Sequence, residues 1–280
     1  MVLAPRISHL LISALLAATL PAAVQAQPLF DTHLHFDAEH ALTPEAAIGI
    51  LDAAQTTAAV VTSRPPEAVL ALHAAAPDRI LPLLGVYRTP ADKQRWPTDD
   101  TLPARVAAAL EDGPWHGIGE LHLFAPQRHS PVFGAIVDLA DQHRLPLQLH
   151  TDPATLDAVF DRAPGVTVLW AHAGAYPYPP LLRDYLARYP RLYVDLSVRD
   201  GRIAPGGRLD PEWELLFIEH PDRFLVGVDT FSANRWETYG EVAGEIRGWL
   251  AQLPPEVAEA LACRNAARLF GVAACDPAQP

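Results

Sequence analysis

From Phe30 onward, short apolar runs alternate with longer stretches of helical character, and this alternation organises the whole chain. Residues 29–36, 58–62, 80–87, 117–123, 145–150, 166–172, 192–196 and 224–229 form runs of strand length and strand composition, as expected of strands buried on both faces. Between them lie helix-opening signals. Thr43-Pro44-Glu45 supplies an N-cap, a first-turn proline and a first-turn acid for a helix reaching residue 55. Asp152-Pro153 and Asp210-Pro211 open two more in the same way. Further helices are expected over 65–76, 101–111, 131–143, 180–189, 236–253 and 255–269, with 88–100 a polar loop. Eight strands, each followed by a helix, predict a parallel sheet, and that number at this length fits a closed (β/α)8 TIM barrel. An open doubly wound sheet is the competing architecture. No Gly-x-Gly-x-x-Gly follows the first strand, so a nucleotide-binding version of it lacks support.

The first 26 residues break the pattern. Arg6 is their only charged residue, residues 10–20 are apolar but short for a bilayer, and Val24-Gln25-Ala26 fits a small-x-small cleavage site. An exported chain cleaved near Ala26 is expected, with a retained N-terminal anchor as the alternative. Residues 27–280 then form a single domain, secreted or periplasmic, with no stable membrane anchor. The net charge of −12 becomes one unit more negative without Arg6. Such a surface argues against nucleic acid as a partner, because phosphates reward Lys and Arg. A small-molecule substrate is the expected partner. Lys93 is the only lysine. In an oxidising compartment Cys263 and Cys275 could form one disulfide, or remain two thiols.

In a parallel α/β barrel, catalytic groups come from the C-terminal ends of several strands. The polar residues at those ends are His33 and His35 on the first strand, Glu120 on the fourth, His150 on the fifth, His172 on the sixth and Asp229 on the eighth. Each has a plain explanation when taken singly: a chance His-x-His pair, a core histidine bonded to backbone, a turn acid, a glutamate paired with an arginine. Yet an imidazole or carboxylate closing an apolar strand needs a partner, because burying it alone is costly. A divalent metal centre, with zinc foremost, satisfies all of them together. His122 shares the face of Glu120 and is a candidate for touching substrate. Arg88 after the third strand and Arg199 after the seventh are candidates for binding a substrate carboxylate or phosphate.

Asp31-Thr32-His33-Leu34-His35, single histidines on the fifth and sixth strands, and Asp229 together resemble the amidohydrolase superfamily of metal-dependent hydrolases. Asn265-Ala266-Ala267-Arg268-Leu269-Phe270-Gly271 is similar to the closing helix of its amidohydrolase-related branch. The resemblance implies that His33, His35 and Asp229 hold one metal, and that His150 and His172 hold a second, with an acid bridging the two. In one-metal relatives, His150 joins the first metal and His172 contacts the attacking water. Some relatives bridge with a carbamylated lysine. The only lysine here lies in the loop after the third strand, so Glu120 is the available bridge and two ions are favoured over one. The implied activity is hydrolysis of an amide, a lactone or other ester, or a phosphoester by metal-activated water, with Asp229 and His172 as catalytic residues and Asp229 moving the proton. Non-oxidative decarboxylation at the same centre is the alternative. A non-catalytic periplasmic barrel that binds a metal or a partner is a second.

Overall fold

The computed structural model describes residues 27–275, and the export signal expected over 1–26 lies outside them. Parallel strands β1 (Leu29–His35), β2 (Thr56–Thr62), β3 (Ile80–Leu84), β4 (Gly117–Leu123), β5 (Leu147–Thr151), β6 (Val168–Trp170), β7 (Leu192–Asp195) and β8 (Phe224–Leu225) pair in strict chain order. The last seam, between β1 and the segment after β8, closes by separate bonds. Thr32 N–H donates to Val226 O at 2.9 Å, and Asp229 N–H donates to His33 O at 2.8 Å. The buried Asp31 carboxylate adds to this seam by accepting from Val228 N–H at 3.2 Å and from the Tyr239 hydroxyl at 2.8 Å. Burial pushes the Asp31 carboxyl up to about 7, against the donors that surround it. The chain is therefore a (β/α)8 barrel.

The helix-opening residues cap as their chemistry dictates. Thr43 Oγ1 accepts from Ala46 N–H at 3.2 Å, Asp152 from Thr155 N–H at 2.9 Å, and Asp210 from Glu212 N–H at 2.9 Å. Several elements differ from the pattern-based expectation. Residues 88–100 are not a plain loop: they contain helical turns at Asp92–Arg95 and Trp96–Thr98. The helix expected over 236–253 is split into Ala233–Glu237 and Tyr239–Leu250. Strands β6 and β8 stop short of His172 and Asp229, which sit just beyond them on left-handed backbone at φ 59° and 61°. Among the described residues, no helix is long and apolar enough to cross a membrane.

Two apolar layers hold the barrel. The larger lies between strands and helices. The smaller fills the base of the barrel interior with Phe30, Ala58, Val60, Leu81, Leu83, Leu169 and Leu225. Helix Asn265–Phe270 plugs this base from below: the Phe270 ring stands 6.1 Å from that of Phe30. Asn265 ties the plug to β8 by donating from Nδ2 to Phe224 O at 2.9 Å. Cys263 and Cys275 form the disulfide, with Cα atoms 5.6 Å apart, and pin the chain beyond the plug.

Candidate metal centre

Period-two alternation alone does not bring the ligand candidates together. Counting from Phe30, which faces the interior base, alternation would turn Leu34 inward and His33 and His35 outward. The β1–β2 register shifts between Asp31 and Leu34. Leu34 accordingly packs in the outer layer, while His33 and His35 turn into the barrel. Strand β4 repeats the device with a register shift between Ile118 and Leu121. Ile118, Leu121 and Leu123 all pack outward, which leaves Glu120 and His122 facing in. A shift of one residue moves side chains to the opposite face. Gly119 allows this: a Cβ there would lie 2.6 Å from Gln148 O and 2.7 Å from Gln148 Cβ, and its φ is 148°.

Glu120 is the hub. Its Oε1 lies 3.0 Å from His150 Nδ1, 3.2 Å from His172 Nε2 and 3.7 Å from His33 Nε2. Its Oε2 lies 3.5 Å from His35 Nε2 and 3.4 Å from His122 Nε2. Across the mouth, Asp229 Oδ1 stands 3.3 Å from His35 Nε2 and 3.7 Å from His33 Nε2. Three overlapping groups have donor atoms within 4.8 Å of one another: His33 with His35 and Asp229, His33 with Glu120 and His172, and Glu120 with His122 and His150. All six residues expected to hold metal thus converge, and His122 joins them. His150 and His172 meet at Glu120 Oε1, with their rings edge to face at 4.8 Å.

The donors also fit a divalent cation chemically. His33 Nε2 and Asp229 Oδ1 are buried and have no hydrogen-bond partner among the described residues. Such orphans are costly unless something else satisfies them. His33 Nδ1 is held 2.7 Å from Asp195 Oδ2, which fixes the ring and directs its other nitrogen at the cluster. His172 Nδ1 is held similarly, 2.8 Å from Ser197 Oγ. Burial works against charge on both His33 and Glu120, but their neighbours outweigh it. Asp229, Asp195 and Glu120 hold the His33 pKa well above the usual histidine value. The imidazoles of His122, His33, His150 and His172 hold Glu120 well below the usual carboxylate range. At Asp195 the same contest, with His33 the largest opponent of burial, leaves a pKa of about 2.

The two arginines that were candidates for binding substrate have other partners. Arg88 pairs with Glu67 at 2.7 Å and is largely exposed. Arg199 donates to His172 O at 2.7 Å and to Gly174 O at 3.2 Å, so it props the turn that carries His172. Asp195 was absent from the expected set, although it interrupts the apolar run of β7 just as the other candidates interrupt theirs. Tyr87, Lys93 and Trp96 also reach the centre unannounced, through His122. The Tyr87 hydroxyl accepts from His122 N–H at 2.7 Å, and Trp96 Nε1 donates to His122 O at 3.1 Å. Lys93 Nζ lies 3.3 Å from His122 Nε2. Burial pushes the His122 pKa down to about 3, so its ring is neutral near pH 7.

A closed barrel with imidazoles and carboxylates converging at the C-terminal ends of its strands defines the class of metal-dependent hydrolases. The amidohydrolase family model matches residues 23–272, and the chain belongs to that family. No curated protein sequence matches the chain. Solved structures share its fold. An amidohydrolase from Burkholderia multivorans with bound zinc is 17% identical, with a TM-score of 0.61 over 88% of this chain and 99% of its own. A TatD homolog from Escherichia coli is 18% identical, with a TM-score of 0.64 over 88% and 98%. A probable 2-pyrone-4,6-dicarboxylic acid hydrolase from Acinetobacter baumannii, with citric acid bound, is 15% identical, with a TM-score of 0.60 over 87% and 99%.

Proposed function

We propose that this enzyme is an exported hydrolase of a small carbonyl substrate, an amide or a lactone or other ester, working through a zinc-type centre at the mouth of the barrel. The observation that carries the reading is the pair of orphaned buried donors, His33 Nε2 and Asp229 Oδ1, aimed into one ring of imidazoles and carboxylates. His33, His35 and Asp229 would hold one cation. Glu120 would bridge it to a second, held with His150 and His172. When bound, a divalent cation lowers the pKa of its water towards about 7.

The remaining work belongs to side chains. Asp229 accepts the proton released from water and returns it to the leaving group. Its left-handed backbone, at φ 61°, and its N–H bond to His33 O hold the carboxylate beside the histidine pair. His172 borders the same space, with Nε2 at 3.9 Å from Asp229 Oδ2. Asp195 and Ser197 hold the rings of His33 and His172 in place, so the donors are oriented before substrate arrives. Export is supported by the first 26 residues and by the Cys263–Cys275 disulfide, which suits an oxidising compartment. A phosphoester is less favoured than a carbonyl compound, because Arg88 and Arg199 are spent on other partners.

Metal analysis of the purified protein, together with His33→Ala, His150→Ala and Asp229→Ala, tests the reading. The expected outcome is bound zinc-type metal in the wild type, reduced loading in His33→Ala and His150→Ala, and loss of ester or lactone turnover in all three. Full loading and full turnover in all three variants would refute it. Release of carbon dioxide from an acid, without incorporation of labelled water, would identify decarboxylation instead.

A further inference from the structure

The mouth of the barrel carries one cationic side chain that the ligand ring does not explain. Lys93 stands in the helical turn Asp92–Arg95 after β3, is half-buried, and brings Nζ to 3.3 Å from His122 Nε2. Its position is built. Trp96, one turn further on, is 2% exposed, packs edge-on against Phe133 at 6.0 Å and bonds the His122 carbonyl. Asp92 accepts from the N–H groups of Arg88 and Thr89 at 2.9 and 2.8 Å, which fixes the start of the turn. The segment therefore holds the only lysine of the chain over a neighbour of Glu120. Among the described residues no carboxylate forms an ion pair with Lys93. Four arginines are occupied: Arg64 by Asp37 and Glu39, Arg88 by Glu67, and Arg199 and Arg235 by backbone carbonyls.

An ammonium group held in a partly buried mouth with no carboxylate in direct contact is a ready partner for an anion. The surroundings restrict which one. His122 stacks on His150 at 4.4 Å, and Phe124 meets His150 edge to face at 6.0 Å while remaining 39% exposed. Beside the cation there is thus a cluster of rings that ends in an exposed aromatic. Tyr176, Tyr178 and Phe231, in the segments after β6 and β8, are exposed as well. One ammonium group, with Glu120 beyond His122, suits a monoanion better than a dianion.

Resting on the hydrolase reading above, we propose that Lys93, backed by His122 and the Tyr87 hydroxyl, is an anion subsite, and that the substrate carries a carboxylate on an apolar body packed beside the His122, His150 and Phe124 rings.

The test is calorimetric titration of the full mature protein, loaded with zinc, using benzoate, its neutral counterpart benzamide, and phenyl phosphate. Wild type is expected to bind benzoate at least about tenfold tighter than benzamide, equivalent to about 1.4 kcal/mol, and tighter than phenyl phosphate. Lys93→Met should bring benzoate down to the benzamide level, and Lys93→Arg should restore most of the difference. Zinc content should be the same in all three proteins. An unchanged benzoate preference in Lys93→Met would overturn the proposal, since the anion would then be held elsewhere. Equal binding of benzoate and benzamide by wild type, or a preference for phenyl phosphate, would overturn it too. Failure of the hydrolase reading is seen separately, as a wild-type protein that retains no metal on dialysis; Lys93-dependent benzoate binding is still measurable in that protein.

Discussion

The two ends of the barrel interior are built on opposite terms. At the base, Phe30, Ala58, Val60, Leu81, Leu83, Leu169 and Leu225 pack against a C-terminal helix pinned by a disulfide. At the mouth, β1, β4 and β5 turn inward His33, His35, Glu120, His122 and His150, with His172 and Asp229 just beyond β6 and β8. The base buries apolar surface and leaves no charge to compensate, so its contribution is stability. The mouth buries histidines and carboxylates, two of them with orphaned atoms, on backbone that includes φ values near 60° at His172 and Asp229. Such an arrangement costs stability unless a ligand or metal repays it. The lesson is a division of labour along the barrel axis: the base, filled largely from β2 and β3, holds the barrel closed so that the mouth, fed by β1, β4 and β5, can carry groups that do not stabilise it.

Substitutions at the two ends should therefore separate activity from stability. The largest effect is expected at the mouth. Asp229→Asn should lower turnover by on the order of 10²–10⁴-fold while shifting the melting temperature little, as read by steady-state kinetics alongside thermal unfolding. A melting shift as large as that of a core deletion would break the contrast. At the base, Phe30→Ala should cost about 3–5 kcal/mol in denaturant unfolding, and activity per folded molecule should persist. Asp195→Asn sharpens the picture within the mouth. The His33 ring loses a charged partner, and zinc affinity should fall by roughly 10–100-fold in a competitive chelator titration, with the fold retained.

The smallest effect concerns Asp200, which follows β7 and accepts from Trp249 Nε1 at 2.9 Å. Burial raises its pKa above the ordinary 3.8, against the Trp249 hydrogen bond. A raised carboxyl favours the protonated folded form, so the stability linked to it is full below about pH 3.8 and is lost as pH rises through the folded value. Asn keeps the acceptor without the charge. The melting-temperature advantage of Asp200→Asn over wild type should therefore grow as pH increases from 4 towards neutrality, and a pH-independent difference would contradict the assigned cause.

Much of this was legible in the chain itself. Eight apolar runs separated by helical stretches define a parallel barrel because each run has strand length and each spacer has room for one crossover helix. Six polar residues closing apolar strands were found because a lone imidazole or carboxylate in such a run is unfavourable without a partner. Asp195 interrupts its run in the same manner and was legible by the same rule. The helical turns at 92–98 were not, because a polar stretch carries no periodicity that says where it packs. Lys93 and Trp96 reach His122 from a turn that Trp96 docks on Phe133, a contact between segments far apart in sequence.

What the sequence determined by itself is the repeat of strand and helix, the end of each strand at which function collects, and the kinds of donor atoms found there. These are local properties: periodicity, caps, and the cost of burying a single polar group. What only the tertiary structure decided is which way those donors face. Strict alternation would have placed His33 and His35 with the outer layer and Leu34 inside with Phe30. The register shifts in β1 and β4, made possible by pairing with neighbouring strands and by the absence of a Cβ at Gly119, turned both His33 and Glu120 into one cavity. Register belongs to pairs of strands, so it cannot be read from one strand alone.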